Sequence, residues 1–261
     1  MQRFSNKSLV IFDLDGTLAE SKQAMDSEMT ALLARLLEQK KVAVISGGSF
    51  EQFEKQFLPG LEKSKSSAAG ATAPFPISNL FLLPTTGSTL YIFKNETWTK
   101  EYSHDLSPDE KEKIYAAFKE AVEKSGEKMP AKTYGPVAED RGGQITFSAL
   151  GQSAPITEKA EWDPTEKRRL AIALFLKALL PDFSIGIGGM TSIDVTKKGI
   201  DKAFGVQKIC EYLKLPIEKA VYVGDALFEG GNDYAAHASG VECVEVANVA
   251  ATKKLIRDIV G

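Results

Sequence analysis

Leu9-Val10-Ile11-Phe12-Asp13-Leu14-Asp15-Gly16-Thr17 is the stretch that decides how the chain is read. Its apolar run is continuous rather than alternating, the pattern of a strand buried on both faces of a parallel sheet. In open α/β sheets ligands gather beyond the carboxyl ends of the strands, which is where Asp13 and Asp15 fall. Two close carboxylates can hold a hard cation such as Mg²⁺, which takes oxygen ligands and keeps several waters. With charge cancelled in this way, one carboxylate can attack a phosphoryl group and form an aspartyl-phosphate. The other can protonate the leaving oxygen and later activate water. Two plainer readings compete. One is an Asp-Gly turn that serves only the backbone. The other is a calcium loop, which fails because its fifth position would be Thr17 and its twelfth Ala24, not Glu.

The chain has 261 residues, enough for one large or two ordinary domains. Its 32 basic and 35 acidic residues give a formal net charge of −3, which argues against a general polyanion-binding surface, so no nucleic-acid partner is expected. No apolar run approaches the roughly 18 residues of a membrane span, so no membrane partner is expected either. Met1–Lys7 leads into the first strand without a signal-peptide pattern. Cys210 and Cys243 sit among apolar neighbours, so a disulfide framework is not expected and a reducing, cytoplasmic location fits.

Working outward, a helix is expected near Asp26–Gln39, with Leu32, Leu33, Leu36 and Leu37 at helical spacing. Val42–Ile45 is a second buried strand, ending in Ser46-Gly47-Gly48. Ser49 and Gln52 have the spacing of a capping box, and Phe50, Phe53 and Phe57 make the inner stripe of the helix that follows. Residues 62–78 read as a loop, with Lys63 and Lys65 solvated. Leu80–Leu83 is a third strand. From about Gly87 the pattern changes to a hairpin around Lys94–Thr97, a capped helix from Ser107, a strand at Gln144–Ala149, a helix opening at Asp163, and strands at Phe183–Ile187 and Ser192–Thr196. This is the order of an α+β unit with two helices on one face of an antiparallel sheet. Alternating strands and helices then return to the end of the chain. The expected fold class is α/β: a doubly wound, Rossmann-like parallel-sheet core from residues 1–86 and 190–261, with an inserted α+β cap at 87–189. Trp98 and Trp162 then fall in the cap, where they pack its sheet and helix or contribute to a dimer surface.

The second cluster is Gly224-Asp225-Ala226-Leu227-Phe228-Glu229-Gly230-Gly231-Asn232-Asp233. Asp225 ends a short strand, as Asp13 does, so the two can face one ion. The glycines and Asn232 let the backbone turn, and Asp233 is placed to support the loop or the metal's water shell. A glycine-rich turn alone would be unremarkable, and pairing with Asp13 and Asp15 is what favours a metal. A transferring phosphoryl group also needs donors and cations. Ser46, with Gly47 beside it, can donate from its strand end. Lys202 opens a helix leading back to the core, whereas Lys197 and Lys198 read as a solvated charge run. His104 and His237 have no metal-ligand spacing around them.

Taken together, Asp13-x-Asp15-Gly16-Thr17, Ser46 after an apolar strand, Lys202 in Gly-Ile-Asp-Lys, and Gly224-Asp225 with Gly230-Gly231-Asn232-Asp233 resemble the four ordered motifs of haloacid dehalogenase-superfamily phosphotransferases. The inserted unit sits where the large cap of the sugar-phosphate branch sits. The resemblance implies Asp13 as nucleophile and Asp15 as general acid/base. It implies Mg²⁺ on Asp13, the main-chain carbonyl of Asp15 and Asp225, and Ser46 and Lys202 on the phosphoryl group. Within that branch the chain is most similar to eukaryotic-type phosphomannomutases, through Gly-Gly-Asn-Asp and through Ser192-Ile193-Asp194, whose Ser and Asp contact sugar hydroxyls in the family. Arg141 matches a cap arginine that grips the distal phosphate, and caps of this family form dimers, so a homodimer through the cap is a further expectation.

The departures from that family decide the functional expectation. Gln152 stands where the family has a second arginine, Lys159 near a third, and Lys22 where it has an arginine beside the nucleophile loop. Lysine lacks the guanidinium fork, and exchanging a charge-assisted contact for glutamine weakens a desolvated grip by about 1–3 kcal/mol. A mutase must hold a sugar bisphosphate while it is turned round. The expectation is therefore a sugar-phosphate phosphatase, in which water takes the aspartyl-phosphate and cap closure excludes bulk water. A phosphomannomutase is the alternative. A non-catalytic sugar-phosphate-binding module is a third reading, opposed by the presence of both Asp13 and Asp15. Lys22, Arg141, Lys159, Ser192 and Asp194 are the expected substrate contacts.

Overall fold

A computed structural model describes residues 4–61 and 76–261. Most of the loop expected over 62–78, including Lys63 and Lys65, lies outside them. The chain divides into two compact units, Met1–Ser103 with Asp201–Gly261, and His104–Ile200.

The first unit carries a seven-stranded sheet in the order β11-β10-β1-β2-β3-β4-β5. Its strands are β1 (Leu9–Phe12), β2 (Lys41–Ile45), β3 (Leu80–Leu83), β4 (Thr89–Lys94), β5 (Thr97–Ser103), β10 (Ala220–Gly224) and β11 (Glu242–Glu245). The first five in spatial order are parallel, and β4 and β5 add an antiparallel edge. Because side chains alternate along a strand, each parallel strand feeds two cores. Val10, Phe12, Val42, Val44, Leu80 and Leu82 pack with α1 (Ser27–Gln39), α2 (Phe50–Gln56) and α7 (Val249–Val260). Leu9, Ile11, Ala43, Ile45, Phe81 and Leu83 pack with α6 (Lys202–Tyr212). This double burial is the physical reason the strands read as unbroken apolar runs.

The second unit carries a four-stranded antiparallel sheet, order β6-β7-β9-β8. It is made of β6 (Ala138–Asp140), β7 (Gln144–Ser148), β8 (Phe183–Gly188) and β9 (Ser192–Lys197), with α3 (Pro108–Ser125), α4 (Ile156–Trp162) and α5 (Lys167–Leu179). Ile145, Phe147, Ile193 and Val195 meet Ile114, Phe118, Ile172 and Leu176 in one apolar cluster. The intervening residues form a polar row, in which Gln144 donates to Thr146 (2.8 Å) and Thr146 to Asp194 (2.7 Å).

Four expectations are corrected. The unit boundaries fall after Ser103 and Ile200, not after 86 and 189. The hairpin β4–β5 continues the core sheet through Phe81↔Ile92, whereas β9 pairs with β7 and β8. Trp98 consequently lies in the first unit, edge-on to Phe50 and Phe93, while Phe50 stacks on Tyr91 at 3.9 Å. The Ser49/Gln52 capping box does not form, since Ser49 makes no side-chain cap bond. Finally, α5 starts at Lys167, not next to Asp163, because Glu166 takes a left-handed backbone (φ 61°). Asp163 still receives the first-turn N–H groups of Arg168 and Arg169, both at 3.1 Å.

Candidate active site

Parallel pairing of β10, β1 and β2 brings three strand ends to the same edge: Gly224-Asp225, Asp13 and Ser46. Asp13 is held by its own N–H on the Val223 carbonyl (2.9 Å), and Ser46 by its N–H on Leu83 (3.1 Å). Gly16 turns the chain back at φ 84°, and a Cβ there would lie 2.4 Å from an Asp225 oxygen, so this close approach requires glycine. Thr17 donates to Asp225 Oδ1 at 3.2 Å. Carboxylate oxygens of Asp13, Asp225 and Asp233 all lie within 4.8 Å of one another, the one such acidic group among the described residues.

Asp201 caps α6 by accepting the Phe204 N–H, which sets Lys202 in the first turn with its ammonium in this cluster. Its Nζ donates to Asp13 Oδ1 at 2.6 Å and also to Asp233 Oδ1. Asp233 further accepts from the buried Tyr222 hydroxyl (2.6 Å) and the Ala226 N–H (3.0 Å). Asp233 thus anchors both the lysine and the loop. Asn232 beside it is exposed, so the loop support expected of the pair comes from Asp233. Gly231 lets that loop close on the Ala226 carbonyl, where a Cβ would come within 2.1 Å.

Burial pushes the Asp13 carboxyl well above the ordinary range, against the pull of Lys202. Burial, with the Asp233 charge, also raises Asp225. At Asp233 burial is outweighed by Lys202 and by its three donors, and its carboxyl is held low. Lys202 is held above its usual value because Asp13 and Asp233 outweigh its own desolvation. Three carboxyl groups share one ammonium in a largely buried site. Asp13 Oδ2 is moreover buried with no hydrogen-bond partner. An all-oxygen donor set with a buried oxygen left unpaired fits a hard divalent cation.

Asp15 points elsewhere. Its Oδ1 accepts the Lys22 main-chain N–H (2.7 Å) and Gln56 Nε2 (2.9 Å), and its Oδ2 accepts Gln52 Nε2 (3.2 Å). Lys22 is exposed with φ 56°. Ser46 is 3% exposed, and its hydroxyl accepts the Gly48 N–H at 3.1 Å, with Gly47 in the same turn. Asp13, Lys202, Asp225 and Asp233 thus meet in one cluster of the first unit, while Asp15, Lys22, Ser46 and Gly47 belong to the same unit with the partners just given.

Arg141, Lys159, Ser192 and Asp194 belong to the second. There Arg141 Nε and Nη2 both donate to Glu139 Oε2, at 3.0 and 2.6 Å. Lys159 is 7% exposed and its ammonium donates to the Gln152 carbonyl at 2.8 Å. The sequence reading missed Gln52, Gln56 and Tyr222 as parts of the site. A polar pair four residues apart in an aromatic helix, and a phenol in a buried strand, were the available signals.

Residues 93–260 match the family model of eukaryotic phosphomannomutase. The phosphomannomutase of Saccharomyces cerevisiae is 26% identical over 233 residues, covering 87% of this chain and 84% of its own. Among solved structures, IMP-bound IMP-nucleotidase from Plasmodium falciparum aligns at TM-score 0.70 and 16% identity, over 97% of this chain and 68% of that one. A haloacid dehalogenase-like hydrolase from Bacteroides thetaiotaomicron aligns at TM-score 0.57 and 15% identity, over 95% and 92%. At such identities the two structures speak to fold alone, one shared with haloacid dehalogenase-like hydrolases. The chain belongs to the eukaryotic phosphomannomutase family. No helix among the described residues is long and apolar enough to cross a membrane.

Proposed function

We propose that the chain is a Mg²⁺-dependent sugar-phosphate phosphatase working through an aspartyl-phosphate on Asp13. An Asp13 oxygen attacks phosphorus, the bond from phosphorus to the sugar oxygen breaks, and Asp15 supplies that oxygen's proton. Water then attacks phosphorus and gives its proton to Asp15, and the Asp13–phosphorus bond breaks to release inorganic phosphate. Lys202 and Ser46, with Gly47, hold the phosphoryl oxygens. Mg²⁺, held by Asp13, the Asp15 main-chain carbonyl and Asp225, would cancel the charge that otherwise repels the anionic substrate. Substrate recognition is assigned to Lys22, Arg141, Lys159, Ser192 and Asp194, with a cytoplasmic location suggested by the two free cysteines.

What supports release over retention is Gln152, a neutral residue where the resemblance implies arginine, with the neighbouring Lys159 ammonium bonded to its main-chain carbonyl. Family membership favours the second reading, a phosphomannomutase interconverting mannose 1-phosphate and mannose 6-phosphate. Incubation with mannose 1-phosphate and Mg²⁺ separates them. Free phosphate is expected; mannose 6-phosphate formed only with a bisphosphate activator would make the chain a mutase. Asp13→Asn should abolish turnover of p-nitrophenyl phosphate, and unchanged turnover would remove the nucleophile. A homodimer through the inserted unit is also proposed, on the exposure of Leu170 (53%) and Leu174 (68%) four residues apart on α5. Light scattering at a monomer mass would refute it.

A further inference from the structure

We infer that Gln52 and Gln56 are positioning residues that hold Asp15 for its proton transfers, an inference that rests on the phosphotransfer reading above. Gln56 is 4% exposed on α2, a depth at which helix positions are ordinarily apolar. Residues four apart share a helix face, and here the two amides are joined: Gln52 Nε2 donates to Gln56 Oε1 at 2.9 Å. That bond occupies the acceptor end of Gln56 and turns its Nε2 to Asp15 Oδ1, while Gln52 Nε2 also reaches Asp15 Oδ2. Each carboxylate oxygen is thus gripped by its own amide. Gly48 is the second sign that the arrangement is built for this purpose. A Cβ at Gly48 would lie 2.4 Å from Gln52 Oε1, so the chain leaves that space for the amide.

Beside the amides, Phe53 of α2 and Phe57 just after it are fully buried, so this helix is anchored in the core where the amides reach Asp15. A primary amide carries both donors and an acceptor. Both amides donate to Asp15 without placing beside it the fixed positive charge that a lysine or arginine would bring.

The test uses two esters and the Mg²⁺-supplied enzyme. Expelling an alkoxide from a sugar phosphate needs the Asp15 proton, whereas p-nitrophenolate leaves without it. Gln52→Met with Gln56→Met keeps side-chain length and removes the amides. The double variant should lower kcat/KM for mannose 1-phosphate by about 10- to 100-fold, the scale of a misplaced catalytic group. The value for p-nitrophenyl phosphate should fall less than about threefold. Asp15→Asn should lower kcat/KM for mannose 1-phosphate at least as far, and the Met pair should add no further loss on that ester in that background. Equal losses on both esters, no loss on either, or additive losses in Asp15→Asn would overturn the inference. Should the double variant not fold, Gln52→Met alone, at a half-buried position, carries the same split. If the unsubstituted enzyme cleaves neither ester, the phosphotransfer reading fails and this inference with it; if it cleaves both and the split is absent, only this inference fails.

Discussion

Replacing Lys202 by methionine should destabilise the protein by about 3–5 kcal/mol in metal-free buffer, because Asp13 and Asp233 would be left as buried charges without their shared counter-ion. Urea denaturation should show a lower midpoint at unchanged slope. Tyr222→Phe removes one donor to Asp233 but leaves the Lys202 and Ala226 bonds, so a smaller loss of about 1–3 kcal/mol is expected in the same experiment. At this scale the sequence reveals which residues carry chemistry and conceals whom they meet. Asp13 and Lys202 were readable from a strand end and a helix start. Gln52 was misread because its spacing from Ser49 satisfies the capping pattern equally well. Its amide instead donates to Asp15, distant in sequence, and to Gln56.

Local signals held where the partners were neighbours in sequence. The capping box Ser107/Glu110 forms both of its bonds, and Ser107→Ala should lower stability by about 1 kcal/mol in thermal or urea unfolding. The hairpin turn has Asn95 and Glu96 both at positive φ, 50° and 63°, as a two-residue turn of matching twist requires. The helix at Asp163 was read a turn too early, because a capping carboxylate can serve N–H groups several residues on when a left-handed residue intervenes. Between α1 and α7, Lys253 bonds both Asp26 and Glu28. At Asp26 the desolvation that would raise the carboxyl is outweighed by Lys253 and the Met29 N–H, so it titrates below its ordinary 3.8. A depressed value means the contribution is present above 3.8, the unfolded-chain value, and is lost as pH falls below it through the folded value. Lys253→Met should therefore flatten the acid limb of a melting-temperature profile, with no more than about 1 kcal/mol from the Asp26 pair after solvent screening.

For the molecule as a whole, an ion that binds only the folded site stabilises it by mass action. Mg²⁺ at about a hundredfold over its Kd should add about 2.7 kcal/mol. Thermal melts with Mg²⁺ and with EDTA should differ, and Asp225→Asn should erase the difference. The two-ended core was readable in advance because strands buried on both sides leave continuous apolar runs. The unit boundary was not, because an alternating hairpin looks the same whether it extends a parallel sheet or founds a separate one; only the pairing of Phe81 with Ile92 decides. The sheet order has a last implication, for biosynthesis. β1 lies between β2 and β10, and Leu9 is paired with Ala220. While the ribosome is still translating the stretch before Ala220, the earliest strand has one side without its neighbour, open to any stray polypeptide. That side of β1 is closed only when β10 has been made and pairs with it, which also brings Asp225 and Lys202 to Asp13.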